Sequence, residues 1–294
     1  MQFKGTGVAI VTPFQFDGTI DYSALKKLIL HLIEGGVDYI VAFGSTGENP
    51  TISQEEIKNT IIFIHETLQG RIPLILGCGG NDTAAVIKAM KNYAQNLPID
   101  AFLSVCPAYN KPTQKGLFEH FSAIAENSPL PVILYNVPSR TACNLLPSTV
   151  LELVQRYSNL IGIKESSGNL EQGMEIIRNK PENFLVLAGD DILALPAIAL
   201  GFDGAISVIA NAYPKLFSNL VKSALEGKWK NAQKSHYLLM ELMQLIFKEG
   251  NPTGIKALLS ILGICKPHVR LPLVEASKEL YHQLQAATLK VSVV

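Results

Sequence analysis

Apolar residues along this chain follow two alternating rhythms. Short β-like runs lie near Val8–Val11, Tyr39–Phe43, Leu74–Leu76, Ala101–Val105, Val132–Tyr135, Ile161–Lys164, Leu185–Leu187 and Ala205–Val208. Between them run stretches with apolar positions at helical spacing, such as Tyr22–Glu34, Gln54–Leu68, Ala84–Gln95 and Gly116–Asn127. Several have start signals: Ser53 stands ahead of Glu55-Glu56, and Asp82-Thr83 ahead of an alanine-rich run. Eight such units over about 225 residues predict an α/β fold, a (β/α)8 TIM barrel, in preference to an open sheet. No GxGxxG fingerprint of a dinucleotide-binding sheet opens any helix. After Gly227 the strand rhythm stops. Lys228–Lys248, Pro252–Leu262 and Leu273–Ala287 read as a three-helix extension, so residues 1–226 are expected to form the barrel and 227–294 a helical domain. The stripe of Leu238, Leu239, Leu242, Leu245 and Ile246 suits packing against the barrel or a partner subunit.

Composition narrows the classes. Lys and Arg number 25 against 25 Asp and Glu, so no basic face for nucleic acid or anionic lipid is implied. Charged residues are 17% and apolar ones 48% of the 294 residues, which points to extensive burial in a core or between subunits. Cys78, Cys106, Cys143 and Cys265 are far apart and form no CxxC pair, as expected of reduced thiols in a cytosolic protein. The N-terminal stretch lacks a signal-peptide pattern, and the densest apolar run, Ile192–Phe202, contains Pro196 and is too short for a bilayer. A soluble cytoplasmic protein is the expectation.

The stretch Leu160–Gly168 (LIGIKESSG) holds the most informative residue. Strand alternation places Leu160, Gly162 and Lys164 on one face, with Gly162 leaving that face roomy. A lysine among apolar neighbours loses hydration, which favours the neutral, nucleophilic amine that imine chemistry needs. The same pattern also fits a strand-end lysine whose ammonium reaches water. A barrel's site lies at the C-terminal ends of its strands, and those ends carry several candidates. Gly44-Ser45-Thr46-Gly47 reads as a turn into a helix whose N–H groups and hydroxyls suit a carboxylate or phosphate, or as an ordinary cap. Gly189-Asp190-Asp191 argues against a phosphorylated substrate; its carboxylates suit capping of the next helix or a metal, and with no His nearby capping is expected. Tyr135 is placed to relay protons to an inward lysine, and Arg140 to clamp a carboxylate, although a core-edge tyrosine and a surface arginine fit as well. The six histidines form neither HxH nor HExxH, so a zinc site is not expected.

Gly44–Glu48, Tyr109–Pro112, Tyr135–Thr141 (YNVPSRT), Gly162–Glu165 and Gly189–Asp191 together resemble, in this order, the dihydrodipicolinate synthase family. That family belongs to the pyruvate-dependent class I aldolases, which include N-acetylneuraminate lyase, and the resemblance spans essentially the whole chain. It implies that Lys164 forms an imine with pyruvate and that Tyr135 relays protons with Ser45 and Tyr109, the latter contributed across a subunit contact. Thr46 and the Ser45–Thr46 backbone would hold the pyruvate carboxylate, with the Ile206 carbonyl and Gly189 nearby. Arg140 would position the second substrate, L-aspartate β-semialdehyde. The product would be 4-hydroxytetrahydrodipicolinate, on the diaminopimelate route to lysine. No metal or organic cofactor is implied, and the family expectation is a homotetramer built from tight dimers.

Three departures stand out. Ser45 replaces a common threonine but keeps the hydroxyl, and Ala108 replaces the first tyrosine of a common pair. The positions that line the lysine-feedback pocket of inhibited members here look like Ala108, Ala85, Gln54 and Ile57, with only Asn81 kept. Insensitivity or weak sensitivity to L-lysine is therefore expected. The alternatives are a sibling aldolase acting on a sialic acid or keto-deoxy sugar acid, against which Arg140 weighs, and a non-catalytic barrel, against which the retained Lys164, Tyr135, Tyr109, Ser45 and Thr46 weigh. No role is read for Cys78 or Cys106 beyond small buried residues.

Overall fold

A computed structural model of the chain describes residues 2–292. Eight parallel strands close into a barrel in sequence order, with helices between them: β1 (Gly5–Ala9), β2 (Tyr39–Ala42), β3 (Leu74–Gly77), β4 (Ala101–Val105), β5 (Val132–Asn136), β6 (Leu160–Glu165), β7 (Leu185–Ala188) and β8 (Gly204–Ser207). The expected TIM barrel is what forms. Most strand limits agree with the apolar runs within a residue. The first does not: β1 starts at Gly5, and Ile10 and Val11 continue past its end into the packing layer between strands and helices. The ladder begins early because β1 must close against β8. Gly5 pairs with Gly204, whose φ is +151°, and a Cβ there would fall 2.0 Å from the Gly5 carbonyl oxygen, so the seam admits only glycine.

Alternation along the strands produces two separate apolar regions. One fills the barrel with inward residues such as Tyr39, Val41, Leu103, Ile133, Leu187 and Ile206. The other lies between the strands and the surrounding helices and includes Ile40, Phe102, Leu134 and Ile163. Helix starts follow ordinary capping chemistry. Ser53 and Glu56 form a reciprocal capping box on Gln54–Leu68, and Asp82 accepts from the Ala84 and Ala85 N–H groups.

Beyond the barrel, three helices follow at Trp229–Lys248, Thr253–Ile261 and Lys278–Ser292. On the first, Leu239, Leu242 and Ile246 are buried, as their stripe requires. The third begins later than the expected Leu273. The segment before it is held instead by side chains: Arg270 bonds the Gly18 and Thr51 carbonyls and pairs with Glu56, and Thr253 Oγ1 bonds the Val274 carbonyl. None of the described helices is long and apolar enough to cross a membrane.

Candidate active site

Lys164 reaches the barrel mouth through an irregularity that alternation did not foresee. Between β5 and β6 the register slips: Val132 pairs with Leu160, but Ile133 pairs with Gly162, leaving Ile161 as a bulge. Leu160 therefore packs in the outer layer, whereas Gly162 and Lys164 lie opposite the inward Ile133 and Tyr135. The expectation of one shared face for Leu160, Gly162 and Lys164 is thus corrected. The surface behind Gly162 is not roomy either, because Leu185 fills it to 3.0 Å of where a Cβ would be.

Lys164 is 5% exposed, and its Nζ lies 4.5 Å from the centroid of the Tyr135 ring. Both line a cavity of about 140 Å³ together with Ser45, Thr46, Arg140 and Gly189. Of the eight sequence-predicted site residues, six thus come together around one small space. A larger cavity of about 560 Å³ shares Ser45, Tyr135, Arg140 and Asn251 with it and continues toward Thr51 and Leu273. The strand carrying Lys164 is fixed from behind. The Glu165 carboxylate accepts from Asn136 Nδ2 and Gln172 Nε2, each at 3.0 Å, and from the Ser167 N–H at 2.6 Å. This spreads the buried charge over three donors.

The Ser45-Thr46 segment is a single 3-10 turn over Ser45–Gly47, followed by a second over Asn49–Thr51, and the α-helix starts only at Gln54. The expected turn directly into a helix is corrected accordingly. Glu48 between the turns adopts the left-handed conformation, φ 58°. Its carboxylate is buried against Lys256 Nζ and the Arg270 N–H, which ties the turn to the C-terminal extension. The leading N–H groups of such a turn have no partner within it and suit an anion.

Asp191 does not cap the helix that follows it. Its carboxylate accepts from the Val208 and Ile209 N–H groups, the latter at 2.8 Å, and so pins the turn after β8. Burial pushes this carboxyl up to about 6, against the opposing pull of the Ser207 hydroxyl, those N–H groups and Lys164. Asp190 is also raised by burial, again countered by Lys164. The amine thus stands in the field of two carboxyl groups.

Two predicted residues lie elsewhere. Ile206 is fully buried inside the barrel opposite Gly7, and the cavity is lined from that side by Val208. Tyr109 is 91% exposed on the loop after β4, with φ 69°, and lines neither cavity. Sequence reading missed Asn251. Its Nδ2 donates to Thr46 Oγ1 at 2.9 Å, its carbonyl accepts from Arg140 at 3.5 Å, and its buried Oδ1 has no partner among the described residues. The available signal was the Gly250-Asn251-Pro252 break, which read only as punctuation. Ser166 and Phe247 also line the cavity. The cysteines are buried, and burial pushes the thiols of Cys78 and Cys265 up to about 12.

The sequence profile of the dihydrodipicolinate synthetase family matches residues 2–291. The chain belongs to this family. It is 48% identical over 290 residues to the 4-hydroxy-tetrahydrodipicolinate synthase of Flavobacterium psychrophilum, with 99% of each chain covered. Among solved structures, the dihydrodipicolinate synthase of Thermotoga maritima is 34% identical with a TM-score of 0.97, and both chains are covered in full (100%). The chloride-inhibited dihydrodipicolinate synthase of Acinetobacter baumannii, solved in complex with pyruvate, is 38% identical over 99% of both chains with a TM-score of 0.95. These family members share the barrel and its helical extension from end to end, so the cavity described above belongs to a fold held in common.

Proposed function

We propose that this chain is a lyase, a 4-hydroxy-tetrahydrodipicolinate synthase that condenses pyruvate with L-aspartate β-semialdehyde through an imine on Lys164. One observation carries the reading: a buried lysine amine beneath a tyrosine ring, in a cavity of about 140 Å³ suited to a three-carbon keto acid. Full-length similarity to synthases of this name supports it.

The amine adds to the pyruvate ketone and water leaves. The iminium then loses a C3 proton, and the resulting enamine attacks the aldehyde carbon. The amino group of the second substrate then displaces Lys164 and closes the ring of 4-hydroxytetrahydrodipicolinate. Tyr135 and Ser45 relay protons, joined by Tyr109 from a neighbouring copy in a tetramer. Its exposure on the single chain leaves it free to reach one. Thr46 and its turn hold the pyruvate carboxylate, Arg140 takes the carboxylate of the second substrate, and Gly189, lacking a Cβ, leaves room for the Ser166 side chain beside the amine. The protein works in the cytoplasm.

The test is borohydride reduction with pyruvate followed by peptide mass mapping, alongside semialdehyde-dependent pyruvate consumption by wild type and Lys164→Ala. Adduct on Lys164 with activity that collapses in the variant is the expected result. Adduct without semialdehyde-dependent turnover moves the acceptor to another aldehyde. Activity surviving in the variant refutes the imine.

A further inference from the structure

Ser166 stands two residues after Lys164. Its N–H bonds the Asn136 carbonyl at 2.9 Å, so the strand's alternation continues and turns Ser166 to the inward side with Lys164. The residue is 8% exposed and lines the cavity of about 140 Å³, yet its hydroxyl makes no hydrogen bond to any described residue. A hydroxyl buried without a partner opposes folding, and its place in a substrate cavity supplies a reason for it. Gly189 locates the group. A Cβ at Gly189 would fall 1.6 Å from Ser166 Oγ and 2.9 Å from Lys164 Cε. The hydroxyl therefore occupies the notch that Gly189 leaves, no further from Lys164 Cε than the sum of those two distances.

We propose that the Ser166 hydroxyl is a further catalytic group, which donates a hydrogen bond to the oxygen of the carbinolamine formed on Lys164 and promotes its departure as water. The proposal rests on the imine reading above. Lys164 Nζ adds to the ketone carbon, and the carbonyl π pair moves to oxygen, which takes up the proton the nitrogen sheds. The C–O bond then breaks. The hydroxyl leaves as water with one further proton relayed through Tyr135, and the nitrogen lone pair closes the C=N bond of the iminium. Ser166 keeps its own proton throughout. Its hydrogen bond strengthens as charge gathers on the departing oxygen, which is where such a donor lowers a barrier.

Ser166→Ala in the full chain is the test, read in three ways. The rate of adduct formation with pyruvate alone, followed by borohydride quench and mass, is expected to fall about tenfold, the share of one well-placed hydrogen bond. kcat/KM for pyruvate falls with it, while kcat/KM for the semialdehyde is unchanged, because that constant starts from the imine already formed. Tm does not fall, since the hydroxyl had no partner to lose. Adduct rates within twofold of wild type overturn the proposal. Equal losses in both kcat/KM values also overturn it, because they report a displaced Lys164. A wild type that forms no pyruvate adduct refutes the imine reading itself, a result distinct from either.

Discussion

Replacing Lys256 by methionine should unfold this protein more readily at neutral pH than at mild acidity, and the structure gives the size of the effect. Lys256 is fully buried. Its Nζ donates to Glu48 and to the His268 carbonyl at 2.8 Å, and sits 4.0 Å above the Phe14 ring. The Glu48 carboxylate, itself 1% exposed, has one other donor among the described residues, the Arg270 N–H at 3.0 Å. Burial lowers the Lys256 pKa, and the Glu48 carboxylate opposes that shift. Removing one partner of such a pair costs about 3–5 kcal/mol. The orphaned carboxylate has an escape, which is to take up a proton. From an ordinary glutamate near 4.3 that costs about 3.7 kcal/mol at pH 7 and about 1 kcal/mol at pH 5. The electrostatic loss is therefore capped near these values. A carboxyl that ionises with more difficulty in the folded state adds stability below its unfolded value and loses it as pH rises, so Lys256→Met suffers less at pH 5. At about 2–4 °C per kcal/mol, the pH 7 loss lowers Tm by roughly 10 °C. Urea unfolding at both pH values and one protein concentration is the assay. Glu48→Gln with Lys256→Met is expected to recover most of the loss, because the uncompensated charge is gone. Because Glu48 anchors the Ser45–Thr46 turn, KM for pyruvate should rise in the single variant. A loss below about 1 kcal/mol at pH 7, or one equally large at pH 5, would refute the argument from the orphaned charge.

Gly189→Ala is expected to abolish pyruvate adduct formation while lowering stability by only about 1–3 kcal/mol, since its Cβ must displace Ser166 Oγ and Lys164 Cε; wild-type adduct rates would show that the notch does not matter. Pairing with Arg270 holds the Glu56 carboxyl at about 2, so its stabilisation is present above pH 4.5 and is lost as pH falls toward 2. The urea midpoint of wild type should decline over that window more steeply than that of Glu56→Gln, and parallel profiles would count against the pairing. L-lysine is expected to leave turnover unchanged, because Ile57 is buried in the core and Ala85 and Ala108 offer no polar group beside Asn81. Inhibition at millimolar concentration or below in a steady-state assay would overturn this.

The barrel was legible because each strand buries both faces and so stands out as a short apolar run against its helices. Its irregular points were not. Gly5 and Gly7 look nothing like strand residues, yet they pair with β8: Gly204 approaches the Gly5 backbone, while a Cβ at Gly5 would strike the Asp38 carboxylate and one at Gly7 the Tyr39 ring. The bulge at Ile161 is invisible to a period of two, because apolar residues occupy both sides of it. Lys164 was placed on the inward side by an argument whose premise about Leu160 was wrong. The lysine points inward because the bulge, three residues upstream, resets the alternation before it.

The same contrast separates the site residues found in the sequence from those that were not. Lys164, Tyr135, Ser45, Thr46 and Arg140 sit at strand ends or just beyond, in short motifs whose chemistry is local. Asn251 reaches Thr46 across 205 residues, and nothing near it in the chain hints at that contact. Its side chain bonds the Thr46 hydroxyl while its backbone carbonyl meets Arg140, so one residue of the C-terminal extension touches two lining residues of the cavity. Lys256 and Arg270 brace the same turn from beneath through Glu48. A barrel without its extension would keep the amine and lose the contacts that hold the Ser45–Gly47 turn. Substitutions in 251–270 are therefore expected to act on pyruvate binding before they act on the amine.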